Sequence, residues 1–307
     1  MKKILVIRYG GVGDIITTLP VIKSLKNNGY SVILASNRRY KEFCLKYMEI
    51  DGFACIDSSF FLPLFMGDKE KNVSSFFENL DIVISYTDEE EVFSQALKDT
   101  FRGKIIFHPV NPENIKKHIT EHLLEPVYNI TSNVCKSPSL KVMHIKQKEF
   151  FIIHPGSGSP HKNWDIERFL EVYKRLSSSI KGIILLGYAE KKQYEFWYKN
   201  ISSSCVAEPV EIEDIISYIE RAYFYIGNDS GVSHLFAAAG VPSIVIFGPT
   251  SPSIWSPTGK NVKILYKGER CSPCNIEQRQ LCKQKSCLNS ITADDVIKAK
   301  EEIWKKI

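Results

Sequence analysis

Short apolar runs alternate with segments of helical periodicity along most of the chain. An apolar run of about four to eight residues that is bounded by glycine or polar residues is typical of a buried strand, whereas apolar residues spaced three or four apart indicate a helix. Regular alternation of the two predicts βαβ units, in which parallel strands are covered by helices. The predicted strands are 3–7, 31–35, 52–56, 81–85, 104–107, 150–153, 182–186, 205–206, 223–226, 241–247 and 262–265.

The alternation weakens between residues 109 and 147, where the pattern predicts a single helix followed by a polar run. We therefore expect a first Rossmann-like domain over residues 1–147 and a second over residues 148–307, which face each other across a cleft. The first domain is expected to contain a helix over residues 15–27, and the second to end in a helix that opens with a Thr292-x-x-Asp295 capping box.

Composition narrows the class of protein. The chain has 307 residues, of which 44% are hydrophobic and 24% charged, with a formal net charge of +5. These values are ordinary for a globular protein with a substantial core, and the mild positive charge is spread along the chain, so we expect no nucleic-acid partner. The first residues carry too few apolar positions for a signal peptide or a membrane span, which predicts a cytoplasmic protein.

The stretch from Tyr225 to Gly240 predicts an anion site. It combines the end of a buried strand, a polar turn and a short helix of small residues that Gly240 ends. A helix that starts after Asp229 and Ser230 offers free N–H groups and a partial positive charge at the carboxyl edge of the sheet, where α/β proteins bind phosphorylated ligands. An ordinary capped turn is the alternative, but the presence of His234 in the same first turn favours a binding site.

The glycine-rich turn from Arg8 to Asp14 does not fit a dinucleotide site. The position of the third glycine in the dinucleotide fingerprint holds Ile16, and Asp14 would repel a pyrophosphate at the helix start. Asp14 is instead interpreted as a general base, because glycines allow close approach to a carboxylate that the helix N-terminus keeps ionised. A simple acid of the first helical turn is the alternative.

The loop from His154 to Trp164 is predicted to complete the anion site. It leaves a buried strand, contains small residues whose N–H groups can face an anion, and adds the positive charge of Lys162. A leaving diphosphate needs such neutralisation in the transition state. The alternative is a surface loop with an incidental lysine.

Four of the eight cysteines lie in one short segment, and two of them form a Cys-x-x-Cys pair. In a cytoplasmic protein such a group favours a tetrahedral thiolate site for structural zinc or iron over disulfide bonds. Reduced thiols without a metal are the alternative. The four candidate ligands are Cys271, Cys274, Cys282 and Cys287.

Together, these stretches resemble the ADP-heptose-dependent heptosyltransferases of glycosyltransferase family 9, which act in lipopolysaccharide core assembly. The resemblance covers nearly the whole chain, in the expected order. The residues that carry it are Gly13-Asp14 with Leu19-Pro20, His154-Pro-Gly-Ser157 with Lys162-x-Trp164, Asp229-Ser-Gly-x-Ser-His234, and Phe247-Gly-Pro-Thr250.

The resemblance implies a GT-B fold, in which the first domain takes the acceptor and the second takes the nucleotide-sugar. It implies an inverting transfer that needs no metal cofactor, an ADP-heptose donor and a glycan or glycolipid acceptor, with peripheral contact to the inner face of the inner membrane through that acceptor. Asp14 would be the base. The donor would be bound by Gly156, Ser157, Lys162, Glu190, Asp229, Ser230 and Gly231, while His234 orients the turn.

Within this resemblance, Ser157 and Lys162 would hold the diphosphate together with the amides of Ser230 and Gly231. Glu190 would approach the ribose, and Asp229 would meet the hydroxyls of the sugar.

Three other functions fit the same fold. One is a nucleotide-sugar epimerase, which would need an acid/base pair around the sugar and no acceptor. The second is a heptosyltransferase that acts on a protein, and the third is a nucleotide-sugar-binding protein without catalysis. The final helix, 292–307, is also a candidate to pack back on the first domain.

Overall fold

The computed structural model describes residues 1–67, 71–111, 115–143 and 147–305. The chain divides into two compact units, Met1–Leu140 and Lys141–Ile307. The predicted boundary between residues 147 and 148 lies seven residues beyond this division, just before the first strand of the second unit. Each unit has its own parallel sheet, as the alternation of apolar runs and helical segments predicts.

In the described part of the first unit, five parallel strands pair in the order β3-β2-β1-β4-β5. β1 is central, and four of its five residues are buried, because helices cover both faces of the sheet. The strands are β1 Lys3–Ile7, β2 Ser31–Ser36, β3 Gly52–Cys55, β4 Ile82–Ser85 and β5 Lys104–Phe107.

The helices of this unit include one correction to the sequence prediction. The single helix expected over residues 15–27 is wrong: the segment forms two helices that meet at Thr18. Pro20 lacks an N–H group and its ring would collide with the carbonyl four residues earlier, so it starts a new helix instead of continuing the first. The helices are α1 Val12–Thr17, α2 Leu19–Asn27, α3 Lys41–Tyr47, α4 Leu62–Met66, α5 Lys71–Phe77, α6 Val92–Thr100 and α7 Ile119–Tyr128.

The second unit has a sheet of six described strands in the order β11-β10-β9-β6-β7-β8, again all parallel. β6 and β9 lie at its centre and are buried almost throughout. The strands are β6 Phe150–His154, β7 Gly182–Leu185, β8 Val206–Ala207, β9 Ala222–Asn228, β10 Ser243–Ile246 and β11 Val262–Leu265.

The last helix of the second unit belongs to the core of that unit. α15 contacts α8 and strands β10 and β11, and it buries Val296, Ala299 and Ile303 there. Its predicted capping box is present at Thr292. The helices are α8 Ile166–Ser177, α9 Tyr194–Asn200, α10 Ile212–Arg221, α11 Gly231–Ala238, α12 Pro252–Trp255, α13 Ile276–Leu281, α14 Ser286–Asn289 and α15 Ala293–Trp304.

Each sheet has a point where the chain reverses its direction of winding. In the first unit the chain runs from β1 to one side and returns to β4 on the other; in the second it does the same from β6 to β9. Open α/β sheets bind ligands at the carboxyl ends of the strands that flank such a point. Within the residues that the structure describes, we find no helix of the length and apolar character that crossing a bilayer requires.

Candidate functional site

The loop after β6 and the turn after β9 lie side by side at the switch point of the second sheet. The strands pair in parallel, with His154 opposite Gly227. Asn228 joins the two segments: its Oδ1 accepts the N–H of Trp164 at 2.9 Å, and its Nδ2 donates to the carbonyl of Pro155 at 2.8 Å. The structure thus brings together the two stretches that the sequence predicts to bind an anion.

Sequence reasoning missed Asn228, which holds the two segments of the candidate site together. It is completely buried, and its side-chain amide pairs with one N–H donor and one carbonyl acceptor of the neighbouring loop. A buried polar side chain must find such partners, because leaving them unpaired costs free energy. The available signal was an asparagine at the end of an apolar strand, directly before Asp229.

Lys162 and Asp229 form the charged centre of this site. The Lys162 Nζ lies 3.2 Å from Asp229 Oδ2, and the two side chains are 20% and 8% exposed. The hydroxyl of Thr250, which follows β10, donates to the same carboxylate oxygen at 2.6 Å. The segments that follow three neighbouring strands of the sheet, β6, β9 and β10, therefore each contribute one polar side chain to a single cluster.

The start of α11 lies directly beside this cluster. Ser230 caps the helix, since its Oγ accepts the N–H of Ser233 at 3.3 Å. Gly231 is the first helical residue, and the N–H groups of the first turn carry the partial positive charge of the helix. The helix is buried along most of its length and ends at Ala238; Gly240 follows its C-cap, with a φ of +81°, the left-handed conformation that glycine readily adopts.

His234 is turned toward the chain after β10. Its Nε2 lies 3.1 Å from the carbonyl oxygen of Trp255, in α12. A carbonyl can only accept, so this nitrogen carries a proton. The contact links α11 to the segment that carries Thr250. That His234 orients the turn stays a prediction.

Ser157 is occupied within its own loop. Its Oγ lies 2.6 Å from Asn163 Oδ1 and 2.7 Å from the carbonyl of Ser159. The side chain is buried, so it shapes the loop that presents Lys162. In this conformation the loop's own polar groups already use the Ser157 hydroxyl.

Glu190 is buried behind the same loop. It sits in a 3-10 turn, Tyr188–Gln193, where its Oε2 accepts the N–H of Gly187 at 2.7 Å and lies 3.8 Å from His154 Nε2. Burial opposes its ionisation, but hydrogen bonds and the charge of His154 outweigh burial and hold the pKa of Glu190 below its usual value. The carboxylate therefore stays ionised against the β6 loop.

Gly156 leaves the space into which the Glu190 carboxylate fits. A Cβ at this position would lie 1.7 Å from Glu190 Oε1, a distance no side chain can accept. We expect Gly156→Ala to lower the free energy of unfolding by about 1–3 kcal/mol, as for an overpacked core, and to displace Glu190. Urea denaturation measures this loss.

Gly158 supplies the matched control, because a Cβ there would meet nothing within 4 Å. Gly158→Ala should leave the unfolding midpoint nearly unchanged. If Gly156→Ala were equally silent, the carboxylate of Glu190 would not occupy the place that the structure gives it.

Asp14 lies at the switch point of the first unit, in the first turn of α1, the helix that follows β1. Its Oδ2 accepts the N–H of Gly11 at 2.8 Å, and its Oδ1 lies 2.5 Å from Arg8 Nη2. The Asp14 side chain remains 37% exposed, whereas Arg8 is buried at 7%. The carboxylate is thus fixed at a helix start and still reachable by a ligand. Sequence reasoning missed Arg8, whose only signal was a basic residue at the end of an apolar strand.

The four clustered cysteines lie on the segment after β11, next to the site. The N–H of Cys274 donates to Pro249 at 2.8 Å, and Cys287 is buried against Gly248. Burial raises the pKa of Cys274, and the neighbouring thiols raise it further. The same two causes raise the pKa of Cys287 to about 11.

All eight cysteines, which lie in the described ranges, are free of disulfides. The thiols are grouped, yet among the described residues the only three potential metal ligands whose atoms lie within 4.8 Å of one another are His108, His122 and Glu125.

Several known proteins are similar to this chain. The chain is 29% identical over 189 residues to lipopolysaccharide heptosyltransferase 1 of Campylobacter coli, a match that covers 59% of this chain and 54% of that protein. It is 25% identical to lipopolysaccharide heptosyltransferase 3 of Escherichia coli K12, over 95% of each chain. The chain thus spans about half the length of the first relative and nearly all of the second.

Among solved structures, a glycosyltransferase family 9 protein from Veillonella parvula shares the fold over 100% of this chain and 98% of its own, with a TM-score of 0.82 at 17% identity. This likeness confirms the predicted α/β fold of GT-B type. The sequence profile of glycosyltransferase family 9 (heptosyltransferase) matches residues 116–285, more than half of the chain. The chain belongs to glycosyltransferase family 9.

Proposed function

We propose that this protein is an inverting heptosyltransferase that moves a heptose from ADP-heptose to a hydroxyl of a lipopolysaccharide core glycan, without a metal cofactor in the reaction. One observation supports this most directly. Lys162, Asp229 and the start of α11 converge at the switch point of the second sheet, so a cation and free N–H groups are available for a diphosphate.

The donor is inferred from the relatives. The curated relatives are named lipopolysaccharide heptosyltransferases, and structures that share this fold include E. coli heptosyltransferase WaaC with ADP and with ADP-2-deoxy-2-fluoro heptose. In this chain Lys162 and the first-turn amides at Ser230 and Gly231 would take the diphosphate. Glu190, which lies against Gly156, would act near the ribose, and Asp229 would bind the sugar hydroxyls.

The proposed reaction is a single displacement. The acceptor oxygen forms a bond to the anomeric carbon while the bond from that carbon to the diphosphate oxygen breaks, and ADP leaves with the electron pair. Asp14 takes the proton of the attacking hydroxyl. Lys162 and the helix start stabilise the negative charge that develops on the diphosphate. These protein groups thus supply the positive charge that a metal ion would otherwise provide.

The acceptor and location follow from the relatives' names and remain part of the proposal. A core glycan attached to a lipid would bring the enzyme to the inner face of the inner membrane, with contact through the acceptor and not through a spanning segment. The enzyme itself would be cytoplasmic.

Product analysis separates this proposal from its rivals. We expect ADP to bind with EDTA present, as measured by calorimetry, and ADP-heptose plus core glycan to yield ADP and a heptosylated glycan. An isomeric nucleotide-sugar would indicate an epimerase, and heptose on a polypeptide would indicate a protein acceptor. Binding without turnover would leave a nucleotide-sugar-binding protein, and a strict magnesium requirement for transfer would contradict the mechanism.

We also propose that Cys271, Cys274, Cys282 and Cys287 hold one structural zinc or iron ion. The thiols affect one another's pKa, and solved structures with this fold include an iron-containing heptosyltransferase, TibC. Among the described residues, the four Sγ atoms do not form a group within 4.8 Å of one another, so binding requires the thiols on this surface segment to move together. A metal there would brace the Gly248–Pro249 turn that leads to Thr250.

Elemental analysis checks the cysteine proposal. We expect Cys271→Ser/Cys274→Ser to remove about one equivalent of zinc or iron from the purified protein, because two of four ligands are lost. Cys205→Ser, outside the segment, should leave the metal content unchanged. Identical metal content in the double variant, with four freely titrating thiols in the parent, would refute it.

A further inference from the structure

Three potential metal ligands meet in the first unit, apart from Asp14 and Arg8. His108 directly follows β5, and His122 and Glu125 lie one turn apart on α7. Their ligand atoms all fall within 4.8 Å of one another. Residues three apart share a face of a helix, and the carboxyl end of β5 meets that face here.

We propose that His108, His122 and Glu125 form a binding site for a divalent transition metal of the zinc class. Two imidazoles and one carboxylate are the donor set that zinc takes, with a fourth position left for water. Zinc ligands at about 2.0–2.2 Å in a tetrahedron lie about 3.3–3.6 Å from one another. The His108 Nε2–Glu125 Oε2 distance is 3.5 Å, and the His122 Nδ1–Glu125 Oε1 distance is 4.0 Å.

The hydrogen bonds of His122 leave the correct nitrogen for a metal. Its Nε2 lies 3.1 Å from the carbonyl oxygen of Pro109, which can only accept, so Nε2 carries the proton in the neutral ring. The Nδ1 then directs a lone pair toward the Glu125 carboxylate. A metal-binding histidine usually donates its other N–H to a carbonyl or carboxylate in this way, which fixes the orientation of the ring.

His108 is held in place but lacks a partner for one nitrogen. Its ring packs against that of His122 at a tilt of 37°, with centroids 4.2 Å apart, and forms an edge contact with Tyr86 at a centroid distance of 6.2 Å. In the part of the chain that the structure describes, the buried Nε2 of His108 forms no hydrogen bond, although it is directed at the Glu125 carboxylate. A cation between these groups would satisfy both.

Lys117 occupies part of the site at present. Its Nζ lies 2.6 Å from Glu125 Oε1, and its side chain is half exposed. An exposed lysine gains little from such a pair, whereas a metal gains three ligands, so the metal can displace it. The site lies at the end of β5, and β4 separates β5 from β1, the strand that precedes Asp14. A metal there would join β5 to α7 and would take no part in the transfer reaction.

Metal titration of the full chain tests the proposal, in a Cys271→Ser/Cys274→Ser background stripped with chelator. We expect calorimetry with ZnCl2 to show one equivalent bound with Glu125 intact. Glu125→Gln and, separately, His122→Gln should weaken binding by about tenfold or more. Glu121→Gln, which removes the same charge from an exposed position of α7, should bind like the parent, and Lys117→Met should bind more tightly.

Two readouts separate this site from the thiols and from misfolding. Cobalt(II) bound by imidazole and carboxylate gives visible ligand-field bands without the near-ultraviolet charge-transfer band of a thiolate complex. Zinc should raise the melting temperature of the parent but not that of Glu125→Gln, whose metal-free circular dichroism should match the parent. Three results would overturn the proposal: no zinc binding in the parent, a zinc affinity in both ligand variants equal to that of the parent, or a cobalt spectrum that shows only thiolate coordination.

Discussion

Asp14→Asn is expected to lower the turnover of heptosyl transfer by about 100-fold or more while donor affinity stays within about twofold. Asparagine keeps the shape and can still accept the Gly11 N–H, but it cannot take a proton from the acceptor hydroxyl. The residues that we propose to bind the donor all lie in the second unit, which this change leaves untouched. Steady-state kinetics with calorimetry of ADP binding gives both quantities.

Asp295 provides a matched control for the capping role of Asp14. It also lies in the first turn of a helix, accepts a backbone N–H from Thr292 at 2.9 Å and pairs with a basic residue, Lys267, at 2.9 Å. Asp295→Asn should therefore cost some stability and leave turnover nearly unchanged. Normal turnover in Asp14→Asn would reduce Asp14 to a helix-capping acid, and loss of ADP binding would show that the donor residues have been assigned wrongly.

Lys162→Met is expected to raise the activation free energy of transfer by about 2–4 kcal/mol, which lowers the rate on the order of 30- to 1,000-fold. The methionine keeps most of the apolar stem and removes the charge. Without Lys162, the buried Asp229 carboxylate keeps Thr250 as a partner but lacks a cation, so donor binding should fall as well. Single-turnover measurement at saturating donor separates the rate effect from the loss of affinity.

Two further lysines distinguish charge from loop position. Lys263 pairs with Glu302 at 2.8 Å elsewhere in the second unit, so Lys263→Met removes a similar ion pair and should leave transfer unchanged. Lys285 donates to the carbonyl of Pro160 at 2.7 Å and supports the loop that carries Lys162. If Lys285→Met slowed transfer as much as Lys162→Met, the lysine at 162 would act by shaping the loop and not by neutralising the diphosphate.

Local sequence patterns were sufficient for the alternation of strands and helices. Apolar runs such as 150–153 and 223–226 become buried strands, and Asp165 caps the start of α8, because these signals depend on neighbouring residues alone. The segments around α4, α5 and α6 gave no clear period. Their aromatic side chains, including Phe61, Phe77 and Phe93, pack into one cluster that only folding brings together.

The sequence also predicted the parts of the anion site, since the loop at Lys162 and the turn at Asp229 each follow an apolar strand. It could not show that Asn228 joins them, that Thr250 shares the Asp229 carboxylate, or that Arg8 pairs with Asp14. The grouping of His108, His122 and Glu125 was equally hidden, because no metal-ligand spacing links a strand end to a helix fourteen residues later.

Sequence alone therefore sufficed for the fold class, the order of the elements and the chemistry available at the strand ends, all of which arise from short-range periodicity and turn chemistry. The pairing of side chains from different strands was decided by the tertiary structure. Parallel strand order places residues far apart in the chain at one edge of a sheet, and burial then obliges each polar group to find a partner there.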